Sequence, residues 1–447
     1  MESAAIADLT DRAAKSSYIN PELFTKYTVK RGLRDIDGRG VLVGLTEIGE
    51  VHAYIIDEDE LVPVAGRLSY RGIDVNDIVN GFLAEGRCGF EETCYLLLFG
   101  SLPTSGELQE FKELLAAYQK LPEDFVRDMI LKAPSRDVMN ALARSVLGMY
   151  SFDKQAEDIS LCNVLKQCLR LIACFPSLAV YGYQAYSHYH GNNSLFIHSP
   201  RPDLGIAENI LHMLRPDSQY SRLEATLLDL ALVLHAEHGG GNNSSFVTHV
   251  VTSTGTDTYS VVAAALGSLK GPRHGGANVK VVQMFDDMKE ALHDWCDEEE
   301  IEHYLTRLLH GEVFDRAGRI YGIGHAVYSV SDPRAVLLKE QAARLAAEKG
   351  LEDEFQLYTA VERLAPLVIG RHRQMYKGVS ANVDFYSGFV YQTLDIPREL
   401  FTPMFAIARI AGWSAHRLEE LVNAGKIIRP AYKSVSRRRP YIALRDR

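Results

Sequence analysis

The sequence predicts a mainly helical chain with one short β region near the N-terminus. Three observations carry this. Only residues 40–72, "GVLVGLTEIGEVHAYIIDEDELVPVAGRLSYRG", combine β-branched residues with turn-forming glycines. Helix-capping signals recur from Thr104 onward. No regular strand–helix alternation follows, which disfavours a doubly wound α/β fold.

The chain has 447 residues, enough for more than one domain and a sizeable core. Hydrophobic residues make up 47% and charged residues 24%, the balance of a globular protein. A net charge of -10 argues against a protein that coats nucleic acid or an anionic membrane. It leaves room for a local basic pocket that takes an anion. The N-terminal "MESAAIADLTDRAAKSS" carries Glu2, Asp8 and Asp11 and has no apolar core, unlike a secretory signal or transit peptide. No apolar run approaches a membrane span. A cytoplasmic protein is expected.

Taken in order, Thr104 and Glu107 form a capping box ahead of "LQEFKELLAAYQKL". Cys162, Cys168 and Cys174 recur every six residues; on a helix that step turns through about 600°, so the three point apart. With Cys88, Cys94 and Cys296 they are read as reduced thiols, not a metal cluster or disulfide framework. Ser221 and Glu224 repeat the capping box before "ATLLDLALVLHAEH". The stretch Tyr259 to Leu269 is small on nearly every side and predicts a buried, closely packed helix. Asp332-Pro333 opens another helix, with Gly350 suited to its C-terminal cap. The last residues, "GKIIRPAYKSVSRRRPYIALRDR", form a basic tail. Such a run is commonly solvated, or it reaches another subunit.

Candidate chemistry lies in four places. In "LHAEHGGGNNSS", His235 and His238 stand at a helix end, where the glycine run opens space beside His238. The pattern is neither HExxH nor HxxEH, and no third metal ligand is evident. In "KGPRHGGAN", Pro272 fixes the backbone while Gly275 and Gly276 strip side chains from around His274. In "RIYGIGHAVYSVSDPRA", His325 follows a GIG turn that lacks the third glycine of a dinucleotide fingerprint. Arg334, nine residues on, reads either as a surface ion pair or as a carboxylate clamp. Asp384 lies between Val383 and Phe385, where desolvation would make it a better base. Arg409 interrupts an apolar helical run and needs an anionic partner. No P-loop, GxSxG elbow or cysteine cluster is present. Histidines, arginines and one aspartate suit acid–base chemistry on a polycarboxylate without a metal.

Read together, "LHAEHGGGNNSSF", "STGTDTYSVVAAALGSLKGPRHGGAN", "GIGHAVYSVSDPRA", "NVDFYSG" and "IIRP" resemble the citrate synthase family in order and spacing. "SYRGIDVNDI" and "ETCYLLLFGSLPT" are similar to its N-terminal half. The resemblance covers roughly residues 40–432. It implies a two-domain helical fold: a large domain of residues 1–274 and 391–447, and a small one of 275–390. It implies a homodimer that condenses acetyl-CoA with oxaloacetate and needs no metal or other cofactor. By the same resemblance His274, His325 and Asp384 are catalytic, and His238, Arg334 and Arg409 hold oxaloacetate. Arg429, in "IIRP", would come from the partner subunit. Coenzyme A would meet Gly322, Ile323, Gly324 and Lys377.

The sequence departs from the family pattern in three places. Ser329 stands where a base commonly meets the phosphates of coenzyme A. "YKGVSANVDFYSG" replaces a shorter "YPNVDFYSG", which leaves propionyl-CoA, and so 2-methylcitrate, as the alternative. "RPAYKS" stands where "RPR" is frequent. Two further classes remain: a non-catalytic regulator that binds CoA or dicarboxylates, and a metal-dependent hydrolase using His235 and His238.

Overall fold

The protein is described here from a computed structural model covering residues 2–35, 39–57, 60–325, 327–372, 378–423 and 425–447. It divides into two compact units, Met1–Leu45 and Thr46–Arg447. In the first, α1 (Glu2–Ser17) and α2 (Glu22–Lys26) precede a 3₁₀ turn at Arg31–Leu33.

The second unit opens with the β region. Strands β1 (Gly49–Asp57) and β2 (Glu60–Tyr70) form an antiparallel hairpin, and β3 (Ile73–Asp74) pairs with the end of β2. The register shifts between His52 and Tyr54. Tyr70 is fully buried and its hydroxyl donates to the Val233 carbonyl at 2.9 Å, which ties the sheet to a core helix. Gly66 sits where a Cβ would lie 2.3 Å from the Ser331 carbonyl. Only glycine lets β2 come this close to the loop after His325.

Helices follow: α3 (Val75–Ala84), α4 (Phe90–Phe99), α5 (Ser105–Tyr118), α6 (Val138–Tyr150) and α7 (Leu161–Gly191). Next come α8 (Ile206–Leu214), α9 (Arg222–His235), α10 (Asn243–Thr252) and α11 (Thr258–Lys270). Then α12 (Ala277–Ala291), α13 (Glu298–His310), α14 (Pro333–Lys349), α15 (Glu352–His372) and α16 (Val383–Thr393) pack largely on one another. The last helix, α17 (Phe401–Val422), returns to pack on α4, α7, α9 and α10. It is buried along most of its length, with Trp413 and Arg409 fully enclosed. Helices α14 and α16 both touch α9, and this contact brings the site together.

The capping signals hold. Thr104 and Ser221 each accept the N–H of the residue three on, and Glu107 and Glu224 reach back to the cap N–H. Asp332 caps α14, with Pro333 in its first turn and Gly350 in the left-handed conformation after it. All six cysteines are free, with Cys168 and Cys174 buried and Cys162 exposed on α7.

Two expectations change. Helix α7 is long and apolar enough to cross a membrane by length and composition, contrary to the sequence reading. Yet 83% of its apolar window is buried inside the protein, as a core helix requires. Helix α11 is not enclosed on all sides. It buries Val261, Val262, Ala265 and Leu269, while Gly267 and Lys270 are exposed in the single chain.

Candidate active site

Five segments converge on one site: the end of α9, the turn before α12, the loop before α14, the start of α16 and the middle of α17. Arg409 of α17 lies at the centre and is fully buried. Its Nε donates to the His235 carbonyl at 2.8 Å, and the guanidinium lies 4.8 Å from the centre of the Phe405 ring. Nη1 and Nη2 are buried with no protein acceptor. Burial pulls this arginine down to about 10, opposed by the charge of Glu237. It stays a cation at neutral pH with two donors free for an anion.

Helix α9 ends at His235, so the two histidines do not lie on adjacent faces of one helix. His235 points into the core, with Nδ1 on the Ala231 carbonyl at 2.7 Å, and burial pushes it down to about 3. It is a structural residue. His238 lies past the helix end, packed edge-on against the rings of His325 at 5.3 Å and Tyr328 at 5.6 Å. Burial, followed by the charges of Arg334, His325 and Arg409, holds it well below the usual histidine range. Its Nε2 is buried without a protein partner. The metal-dependent reading of this pair loses its geometry.

His274 sits on a turn between α11 and α12, its N–H donating to the Gly271 carbonyl at 2.8 Å. A Cβ on Gly275 would lie 2.5 Å from the Leu269 carbonyl, so the glycine is needed for close approach. The ring Nε2 meets Ser244 Oγ at 3.1 Å, and Trp413 Nε1 donates to the same hydroxyl at 3.1 Å. Burial and then Arg409 push this imidazole down to about 4. It is neutral at physiological pH. The cause is desolvation and a nearby cation more than the dipole of α12, which begins three residues later.

His325 Nδ1 accepts the N–H groups of Val327 and Tyr328, both at 3.1 Å. Those two bonds leave Nε2 as the ring's donor. The ring stacks on Tyr328 at 4.9 Å. Asp384 stands in the first turn of α16, where Asn382 caps the helix by accepting its N–H at 3.0 Å. Burial raises its carboxyl to about 6, against the pull of Arg334 and Arg409. A helix N-terminus favours a carboxylate; here desolvation wins.

Arg334 is not a surface ion pair. Only 3% of it is exposed, and Asp332 grips it through Nε at 3.0 Å and Nη2 at 2.8 Å. Asp332 also accepts the Val383 N–H at 3.2 Å, which locks the His325 loop to the helix of Asp384. The GIG turn adds to this joint. Gly322 and Gly324 have positive φ, and Ile323 bridges Ala381. The Gly322 carbonyl accepts from Asn382 N–H at 2.9 Å, and Gly324 N–H donates to Ser380 at 2.7 Å. These backbone groups are spent on protein, so the turn is less open to a ligand than the sequence reading held.

Among the described residues, His238, His274, His325, Arg334, Asp384 and Arg409 therefore come together. Arg429 does not: it is exposed in the extended tail, just after Ile428 N–H donates to Ser253 Oγ at 3.1 Å. Lys377 lies outside the described residues. A separate depression of about 750 Å³, lined by Tyr183, Arg215 and Asp395, contains none of these residues.

A family model described as "Citrate synthase, C-terminal domain" matches residues 33–431. The chain belongs to the citrate synthase family. The citrate synthase of Synechocystis is 36% identical over 82% of this chain and 84% of its own. The 2-methylcitrate synthase of Shewanella oneidensis is 35% identical over 83% of this chain and 90% of its own. Among solved structures, the citrate synthase of Thermoplasma acidophilum, in a ternary complex with carboxymethyl coenzyme A and oxaloacetate, matches with a TM-score of 0.75. It is 26% identical over 94% of this chain and 99% of its own.

Sequence reasoning missed the residues that hold this citrate synthase site in shape. Ser244 orients His274, and Asp332 fixes Arg334. Glu237, fully buried beside His238, sets its charge against Arg409. Asp332 was visible as a helix cap, but its second role needs the fold. Glu237 had a signal, a carboxylate between two candidate histidines. Asp332→Ala leaves Arg334 buried without its partner and is expected to cost about 3–5 kcal/mol in stability. Asp332→Asn keeps the cap and is expected to cost less. Thermal unfolding of both variants checks this; equal, small losses would remove Asp332 from its place as the joint.

Proposed function

We propose that this family member condenses acetyl-CoA with oxaloacetate and hydrolyses the resulting thioester, giving citrate and CoA. One observation carries this reading. Around a buried arginine with two free donors stand neutral imidazoles and a carboxylate raised to about 6. That set removes a proton from a weak carbon acid beside a bound dianion.

In the proposed steps Asp384 takes a proton from the thioester methyl group. The C–H pair moves into an enolate whose oxygen takes a hydrogen bond from His274. A neutral imidazole suits this, because its proton stabilises the oxyanion without first having to be unloaded. The enolate carbon attacks the ketone of oxaloacetate, polarised by a hydrogen bond from the His325 Nε2–H, and the proton taken up by Asp384 balances the alkoxide that forms. Arg409, Arg334 and His238 hold the dicarboxylate. Water then cleaves the citryl thioester. No metal or other cofactor takes part.

The reading also includes a homodimer, with Arg429 reaching the partner's oxaloacetate. Its exposure in an extended tail supports this. Residues 275–390 form the small domain and 1–274 with 391–447 the large one. The mutual packing of α12 to α16 supports that division. Closure between them would complete the thioester site only after the dicarboxylate binds. The coenzyme A contacts proposed from the resemblance are Lys377 and the outer face of the Gly322, Ile323 and Gly324 turn, whose Gly322 carbonyl and Gly324 N–H are already bonded to residues 380–382. The setting is cytoplasmic, with no nucleic-acid or membrane partner.

A second reading, 2-methylcitrate synthase, draws support from the Shewanella relative at nearly the same identity as the citrate synthases. One methylene changes transition-state binding by only about 1–3 kcal/mol. Comparing kcat/KM for acetyl-CoA and propionyl-CoA with oxaloacetate separates them. A ratio favouring acetyl-CoA is expected; a strong propionyl preference replaces the first reading, and no CoA release from either supports the non-catalytic regulator. The pH profile adds an independent check. With Asp384 near 6 and His274 near 4, kcat/KM is expected to fall about tenfold per unit below pH 6. A profile flat down to pH 5 would contradict Asp384 as the base.

A further inference from the structure

Behind the cleft lies a second constellation that the reaction does not use. His249 of α10 and His416 of α17 face each other, Nε2 to Nδ1, at 3.1 Å. Each ring's other nitrogen is held by a carboxylate. Glu420 meets His249 Nδ1 at 2.8 Å, and Glu237 meets His416 Nε2 at 3.0 Å. Glu419 is the third member. Its Oε1 accepts the Glu47 N–H at 2.8 Å, while Oε2 is buried and lies 3.8 Å from His416 Nδ1.

We propose that His249, His416 and Glu419 bind one divalent zinc-class ion. Three features point there. The three ligand atoms lie within 4.8 Å of one another. Two nitrogens on a tetrahedral zinc stand about 3.3 Å apart, close to the 3.1 Å of this pair, and the ion would take the place of the proton the two rings share. Carboxylates on the distal nitrogens fix the ring orientation and raise ligand basicity, which is how metal-binding histidines are supported. Gly240 backbone lies against the pair: a Cβ there would stand 3.5 Å from His249 Nε2 and 3.8 Å from His416 Nδ1. The glycine run of the sequence thus borders this pair as well as His238. Two imidazoles and one carboxylate favour zinc, cobalt or nickel over magnesium or calcium. The fourth position would be water.

The ion would tie α10 to α17, the helix that carries Arg409. None of the three ligands is a reacting group, although Glu237 joins His416 to Arg409, so the proposal does not depend on the reaction assigned above.

The test uses the full chain without an affinity tag, stripped with a chelator and dialysed against zinc chloride. Metal analysis is expected to give one zinc per chain, with a rise in melting temperature of about 3 °C or more. Cobalt in its place is expected to give the visible absorption of a four-coordinate ion. His249→Ala and Glu419→Gln are expected to lower zinc affinity at least about tenfold, and Glu420→Gln by about 10–100-fold through the ring it supports. Circular dichroism of the stripped variants checks that they fold, and the conservative glutamine changes keep the test open if His249→Ala does not. Far less than one zinc per chain, or the same uptake by all three variants, would overturn the site.

Discussion

A guanidinium shut away from water is the constraint on which the rest of this structure depends. Arg409 is fully enclosed, and only one of its three nitrogens has a protein acceptor. Burying a charge costs several kcal/mol unless other charges offset it. Glu237 supplies part of that offset through its field, and it is itself held ionised by His416 against the pull of burial. His416 in turn is raised to about 9 by Glu237, although burial acts the other way. The buried charges form a chain, and its end is a cation pointing into the cleft.

That cation does two things at once. Its free donors suit a carboxylate, and its field helps keep His274, His238 and His235 unprotonated. Neutral imidazoles beside an anion-binding arginine are what a site needs if it must donate hydrogen bonds to developing oxyanions. Asp384 feels the same charge, but burial outweighs it and leaves the carboxyl near 6. The base is thus kept close to working pH chiefly by desolvation, with the like charge of Asp332 acting in the same direction. The joint at Asp332 gives this electrostatic arrangement its geometry, by linking the His325 loop to α16 through the Val383 N–H.

Much of this was legible in the sequence because it rests on local chemistry. Thr104, Ser221 and Asp332 are caps whose partners lie within three residues, so their helices could be read directly. His274 and His325 stood out for their glycine neighbours and Asp384 for its apolar ones, and the family resemblance joined the three. What the sequence could not give depends on distant partners. Arg334 read either as a surface ion pair or as a carboxylate clamp, since nothing local says that α14 starts against α9. The glycine run singled out His238, but that His235 is turned into the core was not legible, because the end of α9 between them is set by tertiary packing. The GIG turn read as open, yet its backbone pairs with residues 380–382, which lie more than fifty positions on. The histidine pair behind the cleft joins residues 249 and 416, a distance no spacing rule reaches.

The most direct test of the central claim is calorimetric binding of oxaloacetate to Arg409→Gln, with circular dichroism as the check on folding. If the buried guanidinium is the anchor for the dicarboxylate, the folded variant binds at least about 100-fold more weakly, as expected when one partner of a buried charge pair is removed. A folded Arg409→Gln protein that binds oxaloacetate within about threefold of the parent chain would contradict the account, and the organising charge of the cleft would have to lie elsewhere.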